Sequence, residues 1–182
     1  MIKLLKEKKL IFTIFLALFL ILTFSAGLMA AETLSILSTS DVHQYLMPYD
    51  YMEDQVDETI GFSKIYSLIE EERSNNQNTL LLDNGDVIQG SLIGLYEYQI
   101  EPITEGETQT IIKAYNHAGY EAAAIGNHEL QDYSMDYLEK AMAGADFPFL
   151  SANIMLADNE DEYYTDPYTI ITKNINGKDL RI

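Results

Sequence analysis

Short apolar runs alternate with stretches of helical periodicity from Leu34 to Ala152, and this alternation constrains the fold more than any other feature of the chain. Residues 34–38 read as a first strand that gives way to the loop-forming residues Thr39, Ser40 and Asp41. Phe62, Ile65, Tyr66 and Ile69 then recur on one helical face, which the polar run 74–78 closes. Residues 79–82 form a short continuous apolar run, the pattern of a buried strand. A second helical stripe, Ile111, Ile112, Tyr115 and Ala118, is followed by Gly119 at the capping position, and 122–125 is the next candidate strand. Ser134 can cap a third helix carrying Leu138 and Met142 and ended by Gly144, after which 147–150 leads into a strand at 151–152. Such order favours parallel β-α-β units with helices covering the sheet, an α/β fold.

Two segments stand outside this rhythm. The roughly twenty residues after the first strand contain Pro48 and an acid-rich stretch, so no regular structure is expected there, and a loop of that length is often functional. Near the end, 169–172 and 180–182 flank Asn176-Gly177, a strong hairpin signal. The chain stops inside the second hairpin strand, which predicts an N-terminal part of a longer protein, because an unfinished apolar edge invites aggregation.

The N-terminus has its own composition. Lys3, Lys6, Lys8 and Lys9 precede an apolar run from Leu10 to Phe24, followed by small residues through Ala31. This reads as a signal peptide over 1–31, with 32–182 as the N-terminal part of a catalytic domain; a retained membrane anchor is the competing reading. Both readings predict export, to the cell envelope, periplasm or exterior, with membrane or cell-wall attachment an open alternative. The chain has no cysteine, which excludes disulfides, thiolate catalysis and Cys-ligated metals. Its net charge is −18, and because residues 1–31 carry four Lys and one Glu, the rest carries −21. Such a field repels duplex nucleic acid. The acidic clusters at 50–54, 70–72 and 158–162 read as solvated faces and loops.

Three polar clusters follow three of the expected strands: Asp41-Val42-His43, Asp83-Asn84-Gly85-Asp86 and Gly126-Asn127-His128-Glu129. Parallel strands would deliver all three to one edge of the sheet, at the carboxyl ends where open α/β sheets bind ligands. Carboxylate, imidazole and amide oxygen together suit borderline divalent metals such as Mn, Zn or Fe(II). Asp41 and His43 can bind one ion, Asp86 can bridge two, and Asn127 can serve the second without adding charge. Each cluster alone also has a bland reading: Asp-x-His arises by chance, Asn-Gly-Asp is a common turn, and Asn127 can cap a helix. Their joint occurrence carries the argument. Two of the three histidines fall in the clusters, while His117 reads as a surface or packing residue of a helix. No Gly-x-Ser-x-Gly elbow is present for a serine hydrolase.

Asp41-x-His43, Gly85-Asp86-x-x-Gln89-Gly90 and Gly126-Asn127-His128-Glu129 resemble the first three motifs of calcineurin-like metallophosphoesterases. Within that superfamily the chain is similar to the 5′-nucleotidase branch. Thr39 to His43, Leu46 to Tyr51 and Leu82 to Asp86 look most like the bifunctional 2′,3′-cyclic-nucleotide 2′-phosphodiesterase/3′-nucleotidases. The resemblance implies a β-sandwich flanked by helices, incomplete here, and two divalent metal ions: Asp41 and His43 on one, Asp86 bridging, Asn127 on the other. It implies nucleotide substrates, hydrolysed with help from the cations, and a catalytic rather than ligating His128. A 5′-nucleotidase and a non-catalytic remnant are the alternatives. Gln44 departs from the glycine common after Asp-x-His, and Leu130-Gln131 departs from the usual Phe followed by Asp or Asn. The family completes its metal shell with a further His and a Gly-His-x-His motif, and no histidine follows His128. The chain therefore carries half of such a centre, and activity of these residues alone is not expected.

Overall fold

A computed structural model of the chain describes residues 8, 12–15 and 32–182. Lys8 and residues 12–15 are helical; the rest of the expected signal or anchor segment lies outside the described residues. Among the described residues, no helix is long and apolar enough to cross a membrane.

Residues 33–182 form one unit. Its centre is a parallel sheet in the order β1 (Ser35–Thr39), β4 (Thr79–Asp83), β5 (Ala122–Ala124), β6 (Phe149–Leu150). β1 and β4 pair along their full length, from Ser35 opposite Thr79 to Thr39 opposite Asp83. All pairings in this sheet are parallel, so its loops leave from common ends. The crossovers are helical, as the periodicity requires: α1 (Phe62–Asn75) joins β1 to β4, and α2 (Leu92–Gln99) and α3 (Thr110–Ala118) join β4 to β5. α4 (Asn127–Gln131) and α5 (Met135–Ala143) lead from β5 to β6.

The expected stripes face the core. Phe62 and Ile69 of α1, Ile111, Ile112, Tyr115 and Ala118 of α3, and Leu138 of α5 pack with Leu81, Ala123 and Phe149 of the sheet. Each buried Leu, Ile or Phe among them contributes about 1.5–3 kcal/mol. Helix ends follow the sequence signals: Gly119 takes the left-handed cap conformation, and Ser134 Oγ accepts from Tyr137 N–H. Of the sandwich implied by resemblance, the described residues supply one helix-covered parallel layer, as befits a partial domain.

The structure departs from the sequence reading in four places. The loop after β1 carries a short antiparallel ribbon, β2 (Tyr49–Asp50) with β3 (Gln55–Val56), because the Asp50 carboxylate accepts from Met52 and Glu53 N–H and closes the turn. The helix α2 has no periodic signal, since Leu92 and Leu95 are exposed and Gly94 is buried; its start is fixed by Ser91, which accepts from Gly94 N–H. The last parallel strand is Phe149–Leu150 rather than 151–152. Acidic residues expected in a loop form β8 (Asn159–Tyr163), which pairs with β7 (Met155–Leu156). The Asn176-Gly177 turn is as expected, both residues having positive φ between β9 (Thr172–Ile175) and β10 (Lys178–Arg181).

Candidate metal centre

The carboxyl ends of β1, β4 and β5 carry the three polar clusters, side by side as the parallel order dictates. The first two loops are stitched together by backbone: Asp41 N–H donates to Gly85 O at 3.1 Å and His43 N–H to Asp86 O at 2.9 Å. This docking forces unusual geometry. Asp41, His43, Gln44 and Asp86 all have left-handed φ, between 49° and 59°. A non-glycine residue held there is strained by roughly 1–3 kcal/mol, and such strain concentrates at functional sites. Gly85 is required on different grounds: at φ 97°, an added Cβ would lie 2.5 Å from Gly126 N. The second and third clusters therefore touch through bare backbone.

His43, Asp86 and His128 each offer a donor atom, and these atoms lie within 4.8 Å of one another. The two imidazoles meet edge to face, with ring centroids 5.1 Å apart. Asp41 borders the group, its Oδ1 3.7 Å from His43 Nε2, while more than half of its side chain is exposed. Asn127 stands at the first position of α4, exposed, between Gly126 and His128. Thus all five residues singled out in the sequence share one edge; three converge closely, Asp41 adjoins them, and Asn127 is next in the chain to His128. His128, assigned by resemblance to catalysis, also lies within reach of the same centre as His43 and Asp86. His117 is elsewhere, in the last turn of α3 against the Tyr66 ring.

Imidazole nitrogen and carboxylate oxygen form a donor set suited to Mn, Zn or Fe(II). Two neighbouring side chains orient the imidazoles. Gln89 Nε2 lies 3.1 Å from His43 Nδ1. With that amide turned by half a turn, Gln89 Oε1 would accept from His43 Nδ1–H and leave the His43 Nε2 lone pair for a cation. Asp132 Oδ2 lies 2.5 Å from His128 Nδ1. That hydrogen bond raises the His128 pKa above its ordinary value; desolvation opposes it, and the charges of Asp86, Asp132 and Glu129 add smaller upward contributions.

Glu129 is fully buried and holds the second and third loops together. Its Oε2 accepts from Asp86 N–H (2.9 Å) and Gly126 N–H (2.8 Å), and its Oε1 from Val87 N–H (2.7 Å) and Ile88 N–H (3.2 Å). The Asp86 carboxylate accepts from His128 N–H at 2.9 Å. Beneath the edge, Asp83 accepts from Thr39 Oγ1, Gly85 N–H and Tyr115 OH, and burial pushes its carboxyl pKa up. Sequence reasoning assigned no role to Gln89, Glu129 or Asp132. Gln89 and Glu129 stand within the motifs that carry the resemblance, and Glu129 also lies three residues after the helix N-cap Gly126.

A metal-ready carboxylate–imidazole cluster at the carboxyl edge of a helix-covered parallel sheet defines a class, and the profile of calcineurin-like phosphoesterases matches residues 34–178. The chain belongs to that family. It is 40% identical over 155 residues to the trifunctional nucleotide phosphoesterase YfkN of Bacillus subtilis, covering 82% of this chain and 10% of that protein. To the 2′,3′-cyclic-nucleotide 2′-phosphodiesterase/3′-nucleotidase of Yersinia enterocolitica it is 37% identical over 164 residues, 90% of this chain and 25% of that one. The crystal structure of the Bacillus subtilis YfkN phosphoesterase superposes with TM-score 0.73 at 39% identity, over 82% of this chain and 46% of that one. The chain thus spans a quarter or less of the length of these curated relatives.

Proposed function

We propose that these residues form half of a two-metal phosphoesterase centre that acts on nucleotides, within an exported protein. The observation that carries this reading is the convergence of His43, Asp86 and His128 at the carboxyl edge of the sheet. His43, Asp86 and Asp41 would hold divalent ions, with Asn127 next to them. When bound, such ions activate water and neutralise phosphoryl charge. The chain's own residues supply the rest. Gln89 fixes the His43 ring, and the Glu129 carboxylate fixes the backbone that carries Asp86. His128, steadied by Asp132 at Nδ1, keeps a proton at Nε2 for the leaving ribose oxygen. A cavity of about 340 Å³ that shares Gln89 and Asp132 with the site offers room for the organic part of the ester.

The substrates we assign are 2′,3′-cyclic nucleotides and 3′-nucleotides, supported by the resemblance of residues 46–51 and by the Yersinia enterocolitica relative. Export is supported by the basic and apolar N-terminal segment. The test is phosphate release by the full-length protein from 2′,3′-cyclic AMP (assayed with excess phosphatase), 3′-AMP and 5′-AMP. Turnover of the first two is expected to exceed that of 5′-AMP by at least roughly tenfold, a difference of about 1.4 kcal/mol in the barrier. Hydrolysis of 5′-AMP alone would replace this assignment with a 5′-nucleotidase.

A further inference from the structure

Gln44 is fully buried, although it directly follows His43 in a loop at the rim of the site and has φ 57°. Glycine would satisfy that backbone without cost, whereas a side chain there is strained. What offsets the strain is the Gln44 amide. Its Nε2 donates to the Glu97 carboxylate of α2, and its Oε1 accepts from Gln109 Nε2 at 3.3 Å, at the start of α3. Both partners are tied down in turn: Glu97 Oε1 accepts from Thr110 N–H at 3.1 Å, and Gln109 Nε2 donates to Ile88 O at 2.8 Å. Ser91 Oγ, the cap of α2, donates to Gln44 O at 3.0 Å. Room for the amide comes from Gly94, where an added Cβ would sit 2.1 Å from Gln44 Oε1.

We propose that Gln44 is a positioning residue: its buried amide, seated in the space left by Gly94, locks the Asp41–His43 loop onto α2 and α3 and so presets the metal-binding geometry. The inference rests on the metal-centre reading above for its functional meaning, but the lock itself is a property of the metal-free fold. Gln44 and Gly94 form a matched pair, since the amide fills the volume that a side chain at 94 would take. A glycine at 44 would permit the same backbone turn and keep the Ser91 bond to its carbonyl, while removing every side-chain tie from the loop to Glu97 and Gln109.

Three variants of the full-length protein test this: Gln44→Gly, Gly94→Ala, and Asn116→Ala as a control. Asn116 ties α3 to Gly144 and Asp146, away from the site, so its loss lowers overall stability alone. The first readout, in EDTA, is hydrogen exchange of the Asp41 and His43 amides, which donate to Gly85 and Asp86. Exchange at least tenfold faster in Gln44→Gly and Gly94→Ala, at conditions where Asn116→Ala is unchanged at those amides, is the expected result. The second readout is Mn²⁺ affinity by electron paramagnetic resonance, expected to weaken about tenfold or more in both site variants and not in the control. Unchanged exchange in Gln44→Gly overturns the positioning role whatever the metal does. So does tighter Mn²⁺ binding by Gln44→Gly. If the parent binds no Mn²⁺ while exchange responds as expected, the lock stands and the metal-centre reading fails.

Discussion

The Asp41–Gln44 loop and the paired turns at Gly85 and Gly126 stand on the same sheet edge, yet they are held in opposite ways. The paired turns are gathered by a single buried charge: the Glu129 carboxylate accepts four backbone N–H groups from both turns. The Asp41–Gln44 loop has three left-handed non-glycine residues and is held by backbone bonds to the neighbouring turn, by the neutral Gln44 amide and by the Ser91 and Gln89 side chains. A buried carboxylate with every acceptor position used makes a rigid seat, since removing it strands donors that have no water to turn to. The neutral Gln44 amide reaches only one side chain on α2 and one at the start of α3, so it locks its loop through fewer bonds than Glu129 gives the paired turns. The contrast divides the centre into a part seated by a buried charge, Asp86 with His128, and a part seated by a neutral amide, Asp41 with His43.

The comparison can be broken most severely at Glu129. Glu129→Ala leaves three buried N–H groups and the half-buried Gly126 N–H unpaired and is expected to cost on the order of 4 kcal/mol in urea unfolding, enough to threaten a marginally stable domain. A loss under about 1 kcal/mol would mean that the carboxylate is not the seat described. Gln44→Gly should cost far less in stability and show itself instead in loop exchange and metal affinity, as set out above.

A smaller effect separates the two imidazoles. In the metal-free protein, the Asp132 carboxylate raises the His128 pKa, so the proton is retained above the ordinary histidine value of about 6.5. The sign follows: the stabilisation from this pair is fully present below the unfolded pKa and is lost as pH rises through the folded one. Asp132→Asn should bring the His128 midpoint, followed by proton NMR, down toward the ordinary value. A midpoint that does not move would remove Asp132 as the partner.

Much of this arrangement was legible in the sequence for a physical reason. The parallel sheet and its covering helices follow from hydrophobic period, and a period is a local property: Ile111, Ile112, Tyr115 and Ala118 announce one face of α3 wherever it packs. The common edge of Asp41, His43, Asp86, Asn127 and His128 then follows from parallel order alone. What was not legible depends on partners distant in sequence or on local turns that no hydrophobic period marks. The helix α2 exposes Leu92 and Leu95 and buries Gly94 because Gln44, fifty residues earlier, needs the space. The ribbon at 49–56 depends on the Asp50 carboxylate closing its own turn, against the expectation from Pro48. Asp132 serves His128 from one helical turn further on, a spacing that signals only once the short helix α4 is known, and Gln89 reaches His43 across two loops with no spacing to mark the contact.

In the proposed centre His43 and His128 flank a cation and His117 does not. Imidazole proton NMR of the full-length protein, with the His43, His117 and His128 signals assigned by single His→Gln variants, follows all three during Mn²⁺ titration. Selective broadening of the His43 and His128 ring signals at substoichiometric Mn²⁺, with His117 still sharp, is the predicted result. Equal broadening of all three, or none before nonspecific binding to the acidic surface sets in, would contradict the metal centre.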